Sequence, residues 1–403
     1  MTRVLEDVLR RERPVLLAAL ARRFGDLELA EDSLQDAVTE ALTRWEAAGR
    51  PPNPGGWLMT TAQRKAIDRL RRERLGADKL RQLAALGDHA GEPDDDRLAL
   101  VFACCHPALS REQQTALTLR SVCGLSTPEI AAAFLVSPST LAARLVRAKR
   151  TLREQEIRIR VPEPEEFGAR LSEVLTVVYL TFNEGWLASS TQVPQRADLV
   201  RESVALADLL VDLMPTEPEV LALRALISFH QSRAETRFTD DGRLVLLSDQ
   251  DRSRWDQDAV ILGTALLNRA MSHRRPGRFQ LQAAIAALHA TAVSWADTDW
   301  PQIRLLYTRL DELTPSPVVR LNRAVATRFV HGAAAALAEV EAEALALSGY
   351  RLFHATRAQF LRDLGRVDEA QAADERALAL ATNPAERDLL TRRLECEPPG
   401  PHA

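Results

Sequence analysis

Lysine is nearly missing from this chain: of 52 basic side chains in 403 residues, only Lys65, Lys79 and Lys149 are lysines. Arginine supplies the rest. Beside so much alanine it follows the usage of a GC-rich genome, so its excess carries no mechanism by itself. Aromatic residues are scarce as well, at 5%. With alanine and leucine abundant, that balance favours helices over a sheet-rich fold. Four cysteines (Cys104, Cys105, Cys123 and Cys396) are too few for a disulfide framework in so long a chain. No apolar run approaches the roughly 18 residues of a membrane span. The charged start Met1-Thr2-Arg3-Val4-Leu5-Glu6-Asp7 lacks the apolar core of a secretory signal. Neither GxxxxGK[ST] nor GxGxxG occurs, so nucleotide binding has no support. These absences leave a soluble, cytoplasmic, all-α protein as the expectation, with 46% hydrophobic residues to build cores and a length suited to about two to four domains.

Charge is unevenly spread. Residues 1–160 carry 26 Lys+Arg against 22 Asp+Glu, and the other 243 residues carry 26 against 34. A basic front joined to an acidic back suggests one part that faces nucleic acid and one that does not. Proline, glycine and charge runs divide the chain further. Residues 1–75 form a first domain, whose helices over 5–46 carry the apolar stripe Ala30, Leu34, Ala37/Val38, Ala41/Leu42 and Trp45. The loop from Ala48 to Gly56 cannot continue a helix, and a second helix is expected from Trp57 to about Arg74. Residues 76–96 read as a linker, 97–158 as a second helical domain, and 159–168, with Val161-Pro162-Glu163-Pro164, as a second linker. From 169 to 395 the pattern is almost uniformly helical, and 396–403 form a tail.

The back part has a weak internal period. Leu364-Gly365-Arg366 with Ala370, Ala373, Ala377 and Asn383-Pro384 matches the second half of a tetratricopeptide unit, and Gly332 with Ala336 and Val340 stands 33 residues earlier. The tetratricopeptide period is about 34, so a solenoid of helical hairpins is expected, its small residues letting paired helices approach closely, with an irregular helical bundle as the alternative in so alanine-rich a chain.

Two helix starts stand close together near the middle of the chain. Ser126-Thr127-Pro128-Glu129 caps one short helix, and Val136-Ser137-Pro138-Ser139-Thr140 caps the next. The pair reads as a helix-turn-helix. Ser137, Ser139 and Thr140 would stand at the start of the reading helix, near base edges. Arg144 can present a fork to guanine or clamp a phosphate, while Arg147, Lys149 and Arg150 suit phosphates. An ordinary solvated basic helix is the bland alternative, and the double capping argues against it.

Upstream, residues 64–74 hold six positive side chains (Arg64, Lys65, Arg69, Arg71, Arg72, Arg74) against Asp68 and Glu73. Such a helix can follow a phosphate backbone, and Trp57 at its start can stack on an unpaired base. A tryptophan alone is more often core, and arginines alone more often a solvated face. Followed by a tethered helix-turn-helix, they suggest one contact to a single strand and another to a duplex.

In this order, the acidic helix, the run Trp57-Leu58-Met59-Thr60-Thr61-Ala62-Gln63-Arg64-Lys65-Ala66-Ile67-Asp68-Arg69-Leu70-Arg71-Arg72, the linker and the helix-turn-helix resemble the extracytoplasmic-function (ECF) group of bacterial RNA polymerase sigma factors. The sequence departs from that group's usual phrase at Gln63-Arg64-Lys65, where an asparagine is common. Segments 174–186, 249–256 and 280–290, with Cys105-His106-Pro107-Ala108-Leu109, resemble the subgroup called ECF42, which carries a tetratricopeptide-like extension. The resemblance implies sigma region 2 over 1–75 and region 4 over 97–158. It further implies a regulatory helical-repeat domain, open to a regulatory protein or ligand, over 169–395. Asp32, Gln35, Asp36 and Glu40 would dock on the β′ clamp of core RNA polymerase, whose β flap is a further partner. Trp57, Arg64, Lys65, Asp68, Arg69 and Arg72 would engage the −10 strand of promoter DNA, and Ser137, Ser139, Thr140, Arg144, Arg147 and Lys149 the −35 groove.

Initiation of this kind needs no hydrolysis, so no catalytic residue and no cofactor is expected. Cys104, Cys105, His106 and Cys123 raise the question of zinc, but adjacent cysteines face different ways and no CxxC spacing occurs, so buried thiols are expected and no metal. The acids between Asp249 and Asp258, with His289, Asp297 and Asp299, read as helix caps and ion pairs, since no nucleophile, base and orienting group share a useful spacing. The rival reading is a stand-alone helix-turn-helix transcription regulator with a helical-repeat sensor.

Overall fold

The computed structural model describes residues 2–72, 93–134, 136–187 and 195–395. Most of the first expected linker and the tail 396–403 lie outside the described residues. Helices make up the regular structure, and no strand occurs among the described residues beyond one isolated bridge between Phe238 and Leu244. The chain divides into two compact units, Met1–Thr181 and Phe182–Ala403.

The first unit begins with α1 (Thr2–Phe24), α2 (Leu27–Ala48) and α3 (Pro54–Arg72). The expected stripe on α2 is its core face: Ala30, Leu34, Ala37, Ala41 and Trp45 are all buried, whereas Leu42 is exposed. Asp26 caps α2 by accepting from the Leu29 amide at 3.0 Å. The helix α3 starts earlier than expected, at Pro54. A proline fits the first helical turn because its missing N–H would have no partner there. Asn53 completes the start, its Oδ1 accepting from the Gly56 amide at 2.9 Å.

The helices α4 (Pro93–Cys104), α5 (Arg111–Ser121), α6 (Thr127–Ala133) and α7 (Pro138–Glu154) follow. Residues 93–96, expected in a linker, belong to α4, and Asp96 is buried against Arg22 of α1 at 2.8 Å. The second expected linker differs more. Pro164 opens α8 (Pro164–Trp186), whose first half packs on α4 and α5. There Phe167 meets Phe102 with ring centroids 5.5 Å apart, Arg170 donates to the Phe102 carbonyl at 2.5 Å, and Glu173 pairs with Arg111 at 2.5 Å. The proline that suggested a break is a helix start, so the division between units falls after Thr181 rather than within 159–168.

The second unit contains α9 (Ala197–Leu213), α10 (Pro218–Ser232), α11 (Gln257–Ser272), α12 (Arg278–Thr291), α13 (Trp300–Leu313), α14 (Pro317–His331), α15 (Ala333–Glu341), α16 (Ala344–Leu347), α17 (Arg351–Asp363), α18 (Val367–Leu380) and α19 (Pro384–Glu395). Successive helices pack as hairpins: α10 on α11, α14 on α15 and α17 on α18. Gly332 and Gly365 turn two of these hairpins with φ of +88° and +73°, a backbone region that other residues enter only with strain. The small residues that follow each glycine lie at the contact: Ala336, Val340, Ala370, Ala373 and Ala377 are all buried.

Candidate nucleic-acid interface

Helices α2 and α3 bring together two residue sets that the sequence had assigned to different partners. Asp32 pairs with Arg69 at 2.7 Å, and Glu40 pairs with Lys65 at 2.8 Å and Arg44 at 3.1 Å. The Lys65 hydrogen bond, assisted by the charges of Lys65, Arg44 and Arg64, holds the Glu40 carboxyl below the usual carboxylate range. Gln35 and Asp36 of the acidic set are exposed, as are Arg64, Asp68 and Arg72 of the basic set. Arg72 folds back to donate to the Asp68 carbonyl at 3.3 Å.

Trp57 is half-buried. Its indole meets buried Trp45 edge-on, with centroids 5.5 Å apart and planes at 66°. Its backbone amide donates to the Asn53 carbonyl at 3.1 Å. The half-buried indole is thus anchored on Trp45 at the start of a basic helix.

The helix-turn-helix is formed by α6 and α7. Ser137 caps α7, its Oγ accepting from the Thr140 amide at 3.1 Å and standing 2.8 Å from the hydroxyls of both Ser139 and Thr140. Leu141, Leu145, Ala148 and Leu152 bury one side of α7, which leaves Ser139, Thr140, Arg147 and Arg150 exposed and Arg144 half-buried. Glu112 is held low first by the Ser110 hydroxyl, and the charge of Arg144 adds to the effect.

One arrangement had no sequence signal. Lys149, expected on a phosphate, instead pairs with Glu31 of α2 at 2.9 Å, and Arg153 one turn on pairs with Glu28 at 2.7 Å. The other oxygen of Glu31 accepts from Ser121 at 3.3 Å. The end of the reading helix is thus clasped to the acidic helix. Glu28, Glu31 and Arg153 were missed because the partners lie 118 and 125 residues apart, where no local spacing rule reaches.

The thiols of Cys104 and Cys105 are buried. Burial pushes Cys105 up to about 12, against a 3.4 Å hydrogen bond with Thr118, and likewise raises Cys104 well above the ordinary thiol range. The acids of the second unit act as helix caps: Asp256 accepts from the Ala259 amide at 3.0 Å and Asp299 from the Gln302 amide at 2.9 Å. No group of three or more metal-ligating side chains occurs among the described residues.

Two histidines of the second unit make its stability depend on pH. His230 is driven down to about 3, first by burial and then by the charges of Arg233, Arg237 and His289; His289 is driven to about 4, first by burial and then by Arg252 and Arg233. An unfolded histidine takes up its proton near pH 6.5. Between about pH 6.5 and 4 the unfolded chain therefore binds protons that the fold refuses, so stability falls as pH falls. The expected loss near pH 5 is of order 1–2 kcal/mol per histidine. Urea unfolding from neutral to mildly acidic pH measures it, and His230→Gln should flatten the slope; an unaltered slope would place the acid sensitivity elsewhere.

A helical front segment with a basic, tryptophan-led helix, followed by a helix-turn-helix, is an arrangement suited to nucleic-acid binding. Family comparison agrees: residues 8–75 match sigma-70 region 2 and residues 99–152 match sigma-70 region 4. The chain thus carries the two sigma-70 domains of a sigma-70 family sigma factor, which indicate a role in promoter recognition and transcription. Residues 170–271 match a family of unknown function, DUF6596. Along nearly its whole length the chain also shares a family with "Uncharacterized protein R00370" of Rhizobium meliloti (strain 1021), at 43% identity over 394 residues that cover 95% of this chain and 93% of that protein. The ECF RNA polymerase sigma factor SigK of Mycolicibacterium vanbaalenii is 27% identical over 146 residues, covering 34% of this chain and 72% of SigK. No solved structure matches the chain. No helix among the described residues is long and apolar enough to cross a membrane.

Proposed function

We propose that this chain is an ECF-type sigma factor that seats on core RNA polymerase through α2, opens the −10 element with α3 and reads the −35 element with α7. The observation that carries the proposal is the placement of two separate basic helices, α3 and α7, on one compact unit with exposed Arg64, Arg72, Ser139, Thr140 and Arg147. Gln35 and Asp36, with Asp32 and Glu40 released from their arginine and lysine partners, form the surface for the β′ clamp, where carboxylates pair well with basic forks. Region 4 lies on the β flap. Opening the duplex costs a few kcal/mol per unstacked base, offset by stacking on Trp57 and phosphate neutralisation. A stand-alone repressor would need neither α3 nor the region 2 surface, which weighs against that rival.

The C-terminal unit regulates initiation in cis, as a tetratricopeptide-like array of the ECF42 kind. The support is its paired helices and glycine turns 33 residues apart.

Transcription in vitro with core polymerase tests the proposal. The full chain should confer start-site choice, and Arg144→Ala should weaken −35 binding by roughly 5–10-fold, the value of losing about one base or phosphate contact. Failure to direct initiation would overturn the proposal, and unchanged sequence preference in Arg144→Ala would remove α7 as the reader. A chain ending after Leu187, which retains all of α8, should differ from the full chain in promoter output if the second unit regulates.

A further inference from the structure

The second unit contains a long stretch of chain without acid. No Asp or Glu occurs between Asp258 and Asp297, although the 243 residues after 160 carry 34 acidic against 26 basic side chains. In the middle of that stretch, where α11 ends and α12 begins, Arg269, His273, Arg274, Arg275 and Arg278 fall within ten residues. Residues 271–276 are all exposed, and so is Arg269.

Tertiary contact returns two carboxylates to this turn. Glu217 lies 3.5 Å from Arg275, a loose pair in which the arginine side chain stays 67% exposed. Glu219 is committed to α12, its oxygens accepting from the Phe279 amide at 2.9 Å and the Gln280 amide at 3.1 Å. Positive charge therefore remains in excess. Arg269 reaches the Pro215 carbonyl at 3.0 Å, and Arg278 lies over the Phe279 ring at 4.5 Å. Arg274 makes no ion pair among the described residues.

Helix dipoles account for only part of this charge. A helix C-terminus favours cations, which suits Arg269 and His273 at the end of α11. A helix N-terminus disfavours them, yet Arg278 opens α12 and the first turn of α12 holds no acid. Arg274 is placed against the preference of its own backbone. It follows the His273 cap of α11 at φ +52°, its amide donating to the Met271 carbonyl at 3.0 Å. The equivalent position after α17 is held by Gly365 at φ +73°, its amide donating to the Arg362 carbonyl at 2.9 Å. Glycine enters this region freely, and other residues do so at a cost. Among the described residues only Arg274 and Glu156 enter it without being glycine. An arginine kept where glycine would be relaxed points to a use for its side chain outside the turn.

We propose that this turn is a contact for the phosphate backbone of duplex DNA, made by Arg274 and Arg275 with Arg269 beside them. A guanidinium fork matches two phosphate oxygens. A group of exposed forks binds the regular negative charge of a backbone without reading bases. An acidic protein would call for an apolar centre to its interface. Only Met271 and Pro276 offer apolar surface in the turn, and the exposed Ile261 and Leu262 of α11 lie about three helical turns away, roughly 16 Å. The choice of DNA as partner rests on the promoter reading of the first unit.

The test is binding of the full chain to a labelled duplex that lacks promoter elements, measured by fluorescence anisotropy over a range of salt. Each backbone contact adds about 0.9 to the slope of log affinity against log salt. Arg274→Gly combined with Arg275→Gln should therefore reduce that slope by about 2, while Arg147→Gln reports the contact of α7. Arg274→Gly alone should leave the thermal unfolding midpoint at or above that of the unaltered chain, because glycine relaxes the turn. An unchanged slope in the double variant would overturn the contact, as would absence of binding at low salt. So would a lower midpoint in Arg274→Gly, which would make that guanidinium part of the fold. A double variant that keeps the slope but loses retention on immobilised polyglutamate would assign the turn to an acidic protein instead. Polymerase is absent throughout, so the two readings fail separately. Loss in the double variant alone supports the turn even where α7 fails as the reader, and loss in Arg147→Gln alone means the reverse.

Discussion

Replacing Trp57 by alanine should leave association with core polymerase near the level of the unaltered chain while reducing promoter opening by roughly 5- to 150-fold. That range is the stacking of one base on an aromatic ring, about 1–3 kcal/mol. The position suits such stacking, because Asn53 fixes the first turn of α3 and the half-buried indole is held by its contact with buried Trp45. Loss of that contact also costs some fold stability, on the order of 0.5–1.5 kcal/mol. Trp57→Phe separates the two effects, since phenylalanine keeps an aromatic face and should retain intermediate opening. Permanganate reactivity of unpaired thymines reads the bubble directly, and co-purification reads polymerase binding. Normal reactivity in Trp57→Ala would show that the ring is only a packing element of the first unit.

The double change Glu28→Gln and Glu31→Gln should raise the affinity of the free chain for −35 duplex, by roughly 5- to 30-fold. In the structure Lys149 and Arg153 are held by these carboxylates, and a phosphate can claim them only after the pairs separate. Glu31 and Lys149 are mostly shielded, with side chains 13% and 19% exposed, whereas Glu28 and Arg153 are open to water. The shielded pair therefore carries most of the expected 1–2 kcal/mol, and the open pair adds about 0.5 kcal/mol or less. Glutamine keeps an acceptor for Ser121, so the junction between α2 and α5 survives. Fluorescence anisotropy with a labelled duplex at fixed salt measures the change. An affinity equal to that of the unaltered chain would mean that the clasp opens at no cost to DNA binding.

Much of the fold was legible because it rests on local rules. The α2 stripe, the Ser137 cap of α7 and the glycine turns at 332 and 365 each depend on residues within one or two helical turns of one another. Where reading failed, the same local signals had two meanings. Pro54 and Pro164 carry the signature of a break, yet proline also opens a helix, and only the cap at Asn53 or the packing of α8 on Phe102 separates the two cases. Asp96 resembles any of the linker acids beside it until Arg22, 74 residues away, gives it a buried partner.

The candidate site divides along the same line. The residue types for strand and groove recognition, with their order along the chain, were written in the sequence, because basic faces, caps and a leading tryptophan follow helical periodicity. Which charges are available was decided only on folding. Tertiary contact consigned Lys65, Arg69 and Lys149 to carboxylates of α2. Periodicity dictates the face a side chain takes on its own helix, but the field it experiences comes from groups that are distant in the chain and are brought near by packing.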